Sequence, residues 1–81
     1  MDAKPQTLVV TGALGGAGRW VVDRLTEDSY DIVAVDRELP VGSPPEGVDF
    51  RAVDLVDAGE TTDLMLSVDP DAVVHLAAIP D

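Results

Sequence analysis

The sequence predicts an α/β fold on a parallel sheet of about four strands in the order 3-2-1-4. Three observations carry this. Apolar, β-branched runs recur along the chain, an amphipathic stretch with helical spacing separates the first two, and four of the seven glycines fall within residues 12–18, straight after the first run. Strands alternating with helical patterns are the signature of parallel crossover units.

The elements follow in order. Residues 7–11 (TLVVT) form the first strand. Ala17, Val21 and Leu25 recur at i, i+4 and i+8, with Trp20 and Val22 beside them, and predict a helix face ending near Glu27 to Ser29. Residues 32–36 (IVAVD) are the second strand, as continuously apolar as a strand buried on both faces must be. Residues 38–47 hold three prolines and two glycines and predict a loop. Residues 48–54 alternate, with Val48, Phe50 and Ala52 facing one way and Asp49 and Arg51 the other, which suits a sheet edge. A second helix is expected over 58–67, with Asp57 as N-cap and Glu60 completing a capping-box-like pair. Asp69-Pro70-Asp71 then turns the chain into a fourth strand, residues 72–78. Right-handed crossovers put the two helices on opposite faces once the fourth strand returns beside the first. The order reverses between strands one and four, where such sheets bind ligands at the strands' carboxyl ends.

Composition excludes several functions. The net charge is −11, with one lysine, Lys4, in 81 residues, which argues against a nucleic-acid backbone as partner. With no cysteine and one histidine, His75, neither a disulfide framework nor a thiolate or His-rich metal site is available. Nothing resembles a signal peptide, and no apolar run approaches the roughly 20 residues that span a membrane. A soluble, cytoplasmic protein is expected. At 46% hydrophobic residues the chain is too apolar for the charge to mean disorder. The acidity reads either as ordinary solubilising charge or as adaptation to a high-salt cytoplasm, where salt screens self-repulsion.

The glycines sit at the expected crevice. Gly12 supplies the positive φ of a sharp strand-to-helix turn. Gly15 leaves room for a pyrophosphate to approach the backbone, and Gly18 lets helix and strand pack closely. The helix N-terminus attracts the phosphates. A tight turn alone would also use such glycines, but a P-loop would not end in Gly18-Arg19-Trp20. Asp36 lies 18 positions after Gly18 at the end of the second strand, where an acid meets the adenosine ribose hydroxyls. Its carboxylate favours NAD over NADP, although Arg37 beside it could accept a 2′-phosphate.

Thr11-Gly12-Ala13-Leu14-Gly15-Gly16-Ala17-Gly18 resembles the TGxxGxxG motif of the short-chain dehydrogenases/reductases. His75-Leu76-Ala77-Ala78 is similar to the HxAA signature of their extended branch, the NAD-dependent epimerases and dehydratases, and Asp54-Leu55 fits the family's adenine-holding pair. The resemblance implies a partial Rossmann fold, with residues 1–81 as the N-terminal part of one NAD-binding domain, cut before its remaining strands, helices and substrate site. It places Gly12, Gly15, Gly16 and Ala17 at the pyrophosphate, with Gly18 among the cofactor-binding residues, and Asp36 and Arg37 at the adenosine ribose. Asp54 and Leu55 fall at the adenine, Ala77 and Ala78 near the nicotinamide-side ribose. Gly16-Ala17 replaces the bulkier apolar pair common there. His75 reads as strand filling.

The family's chemistry needs a tyrosine with a lysine four residues later. The one tyrosine, Tyr30, is followed at that spacing by Ala34, so no catalytic residue is assigned and the chain alone is expected to be inactive. The resemblance thus implies the NAD-binding segment of a sugar or nucleotide-sugar epimerase, dehydratase or dehydrogenase, homodimeric when full length and acting on a sugar-type substrate. The alternative is a non-catalytic dinucleotide-binding sensor or partner-binding module.

Overall fold

A computed structural model describes residues 6–77 of the chain. The elements run β1 (Thr7–Thr11), α1 (Gly16–Glu27), β2 (Asp31–Asp36), β3 (Val48–Ala52), α2 (Ala58–Val68) and β4 (Ala72–His75). All strand pairs are parallel and the sheet order is β3-β2-β1-β4, so the sequence-predicted topology holds.

Two apolar layers cover the sheet. Leu8, Val10, Ile32, Ala34 and Val48 form one with Val22 of α1, while Val9, Val33 and Val35 form the other with Val53 and Leu64 of α2. The helices therefore lie on opposite faces, and the central strands β1 and β2 are buried on both, as their unbroken apolar runs require. Burying a valine or leucine side chain contributes about 1.5–3 kcal/mol, so this double layer is the main stabilising term.

Three local expectations need correcting. The buried face of α1 centres on Gly18 and Val22, with Val21 and Leu25 partly covered; Ala17 is exposed and Trp20 is 69% exposed. The helix turns the residue without a Cβ inward, because only there can its backbone approach Gly12 and Ala13 in the turn after β1. The Asp57–Glu60 pair forms half a capping box: Asp57 Oδ1 accepts from the Glu60 N–H at 3.0 Å, but the Glu60 carboxylate accepts from the Asp54 N–H instead. The third and fourth strands end early, at Ala52 and His75, and Ala78 of the expected fourth strand lies outside the described residues.

Every described carboxylate residue except Asp36 is exposed, and among the described residues two ion pairs answer them, Arg24–Asp28 at 3.9 Å and Arg51–Asp49 at 3.1 Å. Surface pairs of this kind add little, so self-repulsion is largely uncompensated. The screening length shortens from about 30 Å at 0.01 M salt to about 3 Å at 1 M. The melting temperature is expected to climb with potassium chloride, most of the gain arriving below molar salt. A flat or falling curve would assign the acids to plain solubility.

Candidate cofactor-binding site

The carboxyl ends of the strands open onto a cleft of about 270 Å³. Its walls are the β1–α1 turn (Gly12, Gly15), the end of β2 (Asp36, Arg37), residues 53–56 after β3, and Leu76 and Ala77 after β4. Of the residues singled out from sequence, Gly12, Gly15, Asp36, Arg37, Asp54, Leu55 and Ala77 meet here. Gly16, Ala17 and Gly18 begin α1 without lining the cleft, and Ala78 lies outside the described residues. Val53, Val56 and Leu76 are additional walls. No sequence signal marks them beyond their place next to Asp54 and His75.

The glycines divide into two kinds. Gly12 has φ +70°, and a Cβ there would lie 2.7 Å from the Ala77 nitrogen. A Cβ on Gly18 would run into the Gly12 carbonyl and lie 2.8 Å from the Ala13 Cα. These two are required by the protein itself. Gly15 has ordinary extended backbone, φ −70° and ψ 166°, and among the described residues a Cβ there would meet only the Gly12 carbonyl oxygen, at 3.4 Å. Nothing in the fold demands a glycine at 15, so the space over it is left for something else.

That space adjoins the N-terminus of α1. Its N-cap is Gly15 with no side-chain cap, no acid stands in its first turn, and its first inward bond is from the Arg19 N–H to the Gly15 carbonyl at 2.9 Å. The N–H groups of Gly16, Ala17 and Gly18 have no partner among the described residues. Three free donors and the positive end of the helix dipole make an anion-binding end. The N-terminus of α2 is the counterexample, since Asp57 caps it and Glu60 adds a second carboxylate in its first turn.

The opposite end of the cleft carries acceptors. Asp36 is half-buried; its Oδ2 accepts from the Leu14 N–H at 3.0 Å and its Oδ1 from the Arg37 N–H at 2.7 Å. An ionised carboxylate has about four lone-pair sites, so two backbone bonds hold it still and leave capacity for hydroxyl donors. Asp54 adds a second carboxylate nearby on the wall. The cleft is therefore polarised, with donors for phosphate at the α1 end and fixed acceptors for hydroxyl or amino groups at the β2–β3 end.

Thr11, 1% exposed, ties the fourth wall in place. Its Oγ1 lies 3.1 Å from the Leu76 N, 3.3 Å from the Ala77 N and 2.7 Å from His75 Nδ1. His75 closes β4: its residue is exposed on that outer strand, and its ring is anchored to β1. Among the described residues no group of three or more His, Cys, Asp or Glu is placed to hold a metal, and no helix is long and apolar enough to cross a membrane.

Comparison with known proteins gives this geometry a context. Residues 8–81 match the sequence profile of the NAD dependent epimerase/dehydratase family. UDP-glucose 4-epimerase of Mycolicibacterium smegmatis is 34% identical over 77 residues, which cover 86% of this chain and 24% of that protein. Among solved structures, the UDP-glucose 4-epimerase of Thermus thermophilus in complex with NAD superposes with TM-score 0.77 at 29% identity, over 93% of this chain and 25% of that one. L-threonine dehydrogenase from Clostridium difficile gives TM-score 0.79 at 25% identity, over 96% of this chain and 25% of that one. The chain spans about a quarter of the length of these relatives.

Proposed function

We infer, because the chain belongs to the NAD dependent epimerase/dehydratase family, that it is the cofactor-binding segment of an enzyme modifying a sugar or nucleotide-sugar, with NAD as the cofactor. The observation that carries this reading is the polarised cleft. The free N–H groups of Gly16, Ala17 and Gly18 take the pyrophosphate, and the space over Gly15 lets it approach. The clamped Asp36 takes the adenosine ribose hydroxyls, Asp54 and Leu55 border the adenine, and Ala77 lies on the nicotinamide side. Two kinds of substrate are named among these similar proteins: UDP-glucose, for two epimerases, and threonine, for one dehydrogenase. The substrate is therefore set by residues beyond this cleft, and the sugar assignment leans on the first.

When bound, NAD supplies hydride acceptance and return; the chain's own residues bind and orient it. In this reading the proton-moving groups belong to the rest of the enzyme, because Ala34 and not a lysine stands four residues after Tyr30. A full-length sequence without a Tyr-x-x-x-Lys pair would instead favour a dinucleotide-binding sensor.

Cofactor choice is the direct test. Asp36 repels a 2′-phosphate, so the natural full-length protein is expected to bind NAD more tightly than NADP in calorimetric titrations. Asp36→Ala removes a charged acceptor, and NAD affinity should fall by roughly 1.5–3 kcal/mol, about ten- to hundredfold in Kd. Wild-type protein binding NADP equally well or better would reject the role of Asp36 and transfer cofactor choice to Arg37.

A further inference from the structure

We propose that Glu60 is a positioning residue for the base end of the cleft, holding Asp54 so that its carboxylate selects an amino-bearing purine. The inference rests on the dinucleotide reading above. Glu60 belongs to α2 and is not a wall of the cleft, yet it controls one.

The turn between β3 and α2 shows how. The Asp57 N–H donates to the Asp54 carbonyl at 2.9 Å, closing a four-residue turn around Leu55 and Val56. The Val56 N–H donates to Asp54 Oδ1 at 3.1 Å. Because Asp57's own N–H is consumed by that turn, the Glu60 carboxylate has no donor at the usual capping-box position. It reaches one turn further and accepts from the Asp54 N–H at 3.0 Å. Thr61 secures the same turn from below, its hydroxyl donating to the Asp57 carbonyl at 3.0 Å. The N–H, carbonyl and Oδ1 of Asp54 are thus all bound, and Oδ2 alone has no partner among the described residues.

A carboxylate oxygen is an acceptor only. It matches the exocyclic amino group of adenine, a donor, and opposes the carbonyl oxygen that hypoxanthine carries at that position. Without Glu60 the Asp54 N–H loses its acceptor, and the turn is free to swing the carboxylate away from the base.

The test is the ratio of Kd for nicotinamide hypoxanthine dinucleotide to Kd for NAD, measured by calorimetry on the natural full-length protein. Glu60 is exposed, so its variants are expected to fold. The wild type should prefer NAD, and Asp54→Ala should bring the ratio near one. Glu60→Ala should lower the ratio by about fivefold or more, one hydrogen bond's worth, mainly through weaker NAD binding. Glu60→Gln keeps an oxygen acceptor at the same reach and should restore most of the preference. If Glu60→Ala lowers the melting temperature while the ratio stays at the wild-type value, Glu60 only supports the helix and the proposal falls. If Asp54→Ala also leaves the ratio unchanged, or the wild type does not discriminate, the placement of the base is wrong and the proposal falls with it.

Discussion

Gly18→Ala is expected to unfold the chain or nearly so, whereas Gly15→Val should leave the fold standing and abolish dinucleotide binding. The two glycines lie three residues apart, yet the space around them differs in kind. A Cβ at Gly18 meets backbone: the Gly12 carbonyl, and the Ala13 Cα at 2.8 Å. Neither can rotate aside, so α1 must lift from β1. Overpacking costs about 1–3 kcal/mol or more. Lifting α1 also loosens Val22, 3% exposed and packed among Leu8, Val10 and Ile32, at up to about 1.5–3 kcal/mol. The sum approaches the whole stability of a small domain, about 5 kcal/mol at the lower end, and each kcal/mol shifts the melting temperature by about 4–8 °C at this size. At Gly15 the only neighbour of a Cβ among the described residues is the Gly12 carbonyl oxygen at 3.4 Å, and φ −70° suits valine. The new side chain fills the space assigned to the pyrophosphate. Thermal melts followed by circular dichroism, with NAD titration of the folded variants, separate the two effects. Gly18→Ala melting within a few degrees of wild type, or Gly15→Val binding NAD normally, would reduce these glycines to a turn.

The sequence made the sheet legible because its central strands are buried on both faces, and continuous runs such as IVAVD have few other uses. It also made Gly12 and Asp36 legible, since each stands where a strand ends, while Asp54 came from the family resemblance alone. What it hid depends on partners distant in the chain. Periodicity counts apolar residues, so it read Ala17 and Trp20 as part of the buried face of α1; Gly18 was legible as a close-packing residue but not as the centre of that face. The early end of β4 follows from Thr11 standing opposite His75 and drawing the next two N–H groups inward. The Leu14 bond that clamps Asp36 spans 22 residues, and the rerouting of Glu60 follows from a turn that already uses the Asp57 N–H. No local pattern carries either.

Thr11→Val should lower the melting temperature by roughly 10–20 °C, from about 2–3 kcal/mol of lost hydrogen bonding at about 4–8 °C per kcal/mol, and weaken NAD binding with it. The swap keeps the shape of a side chain that is 1% exposed and removes only the hydroxyl, so cavity effects are minor. Two donors depend on that oxygen unequally. The Leu76 N–H keeps the Thr11 carbonyl at 3.2 Å, but the Ala77 N–H, at 3.3 Å from Oγ1, has no other acceptor among the described residues. Ala77 is a wall of the cleft, so its release costs binding as well as stability. The hydroxyl also holds His75, its Oγ1 lying 2.7 Å from Nδ1. Nitrogen NMR of the wild type should show a hydrogen-bonded Nδ1, and Thr11→Val should lose that bond. Thr11→Ser keeps the hydroxyl and gives up one methyl, about 0.8 kcal/mol, so it should retain the Nδ1 bond and most of the NAD affinity. Thr11→Val melting like the wild type, or an unchanged Nδ1 resonance in that variant, would show that β4 is held to β1 by its backbone ladder alone.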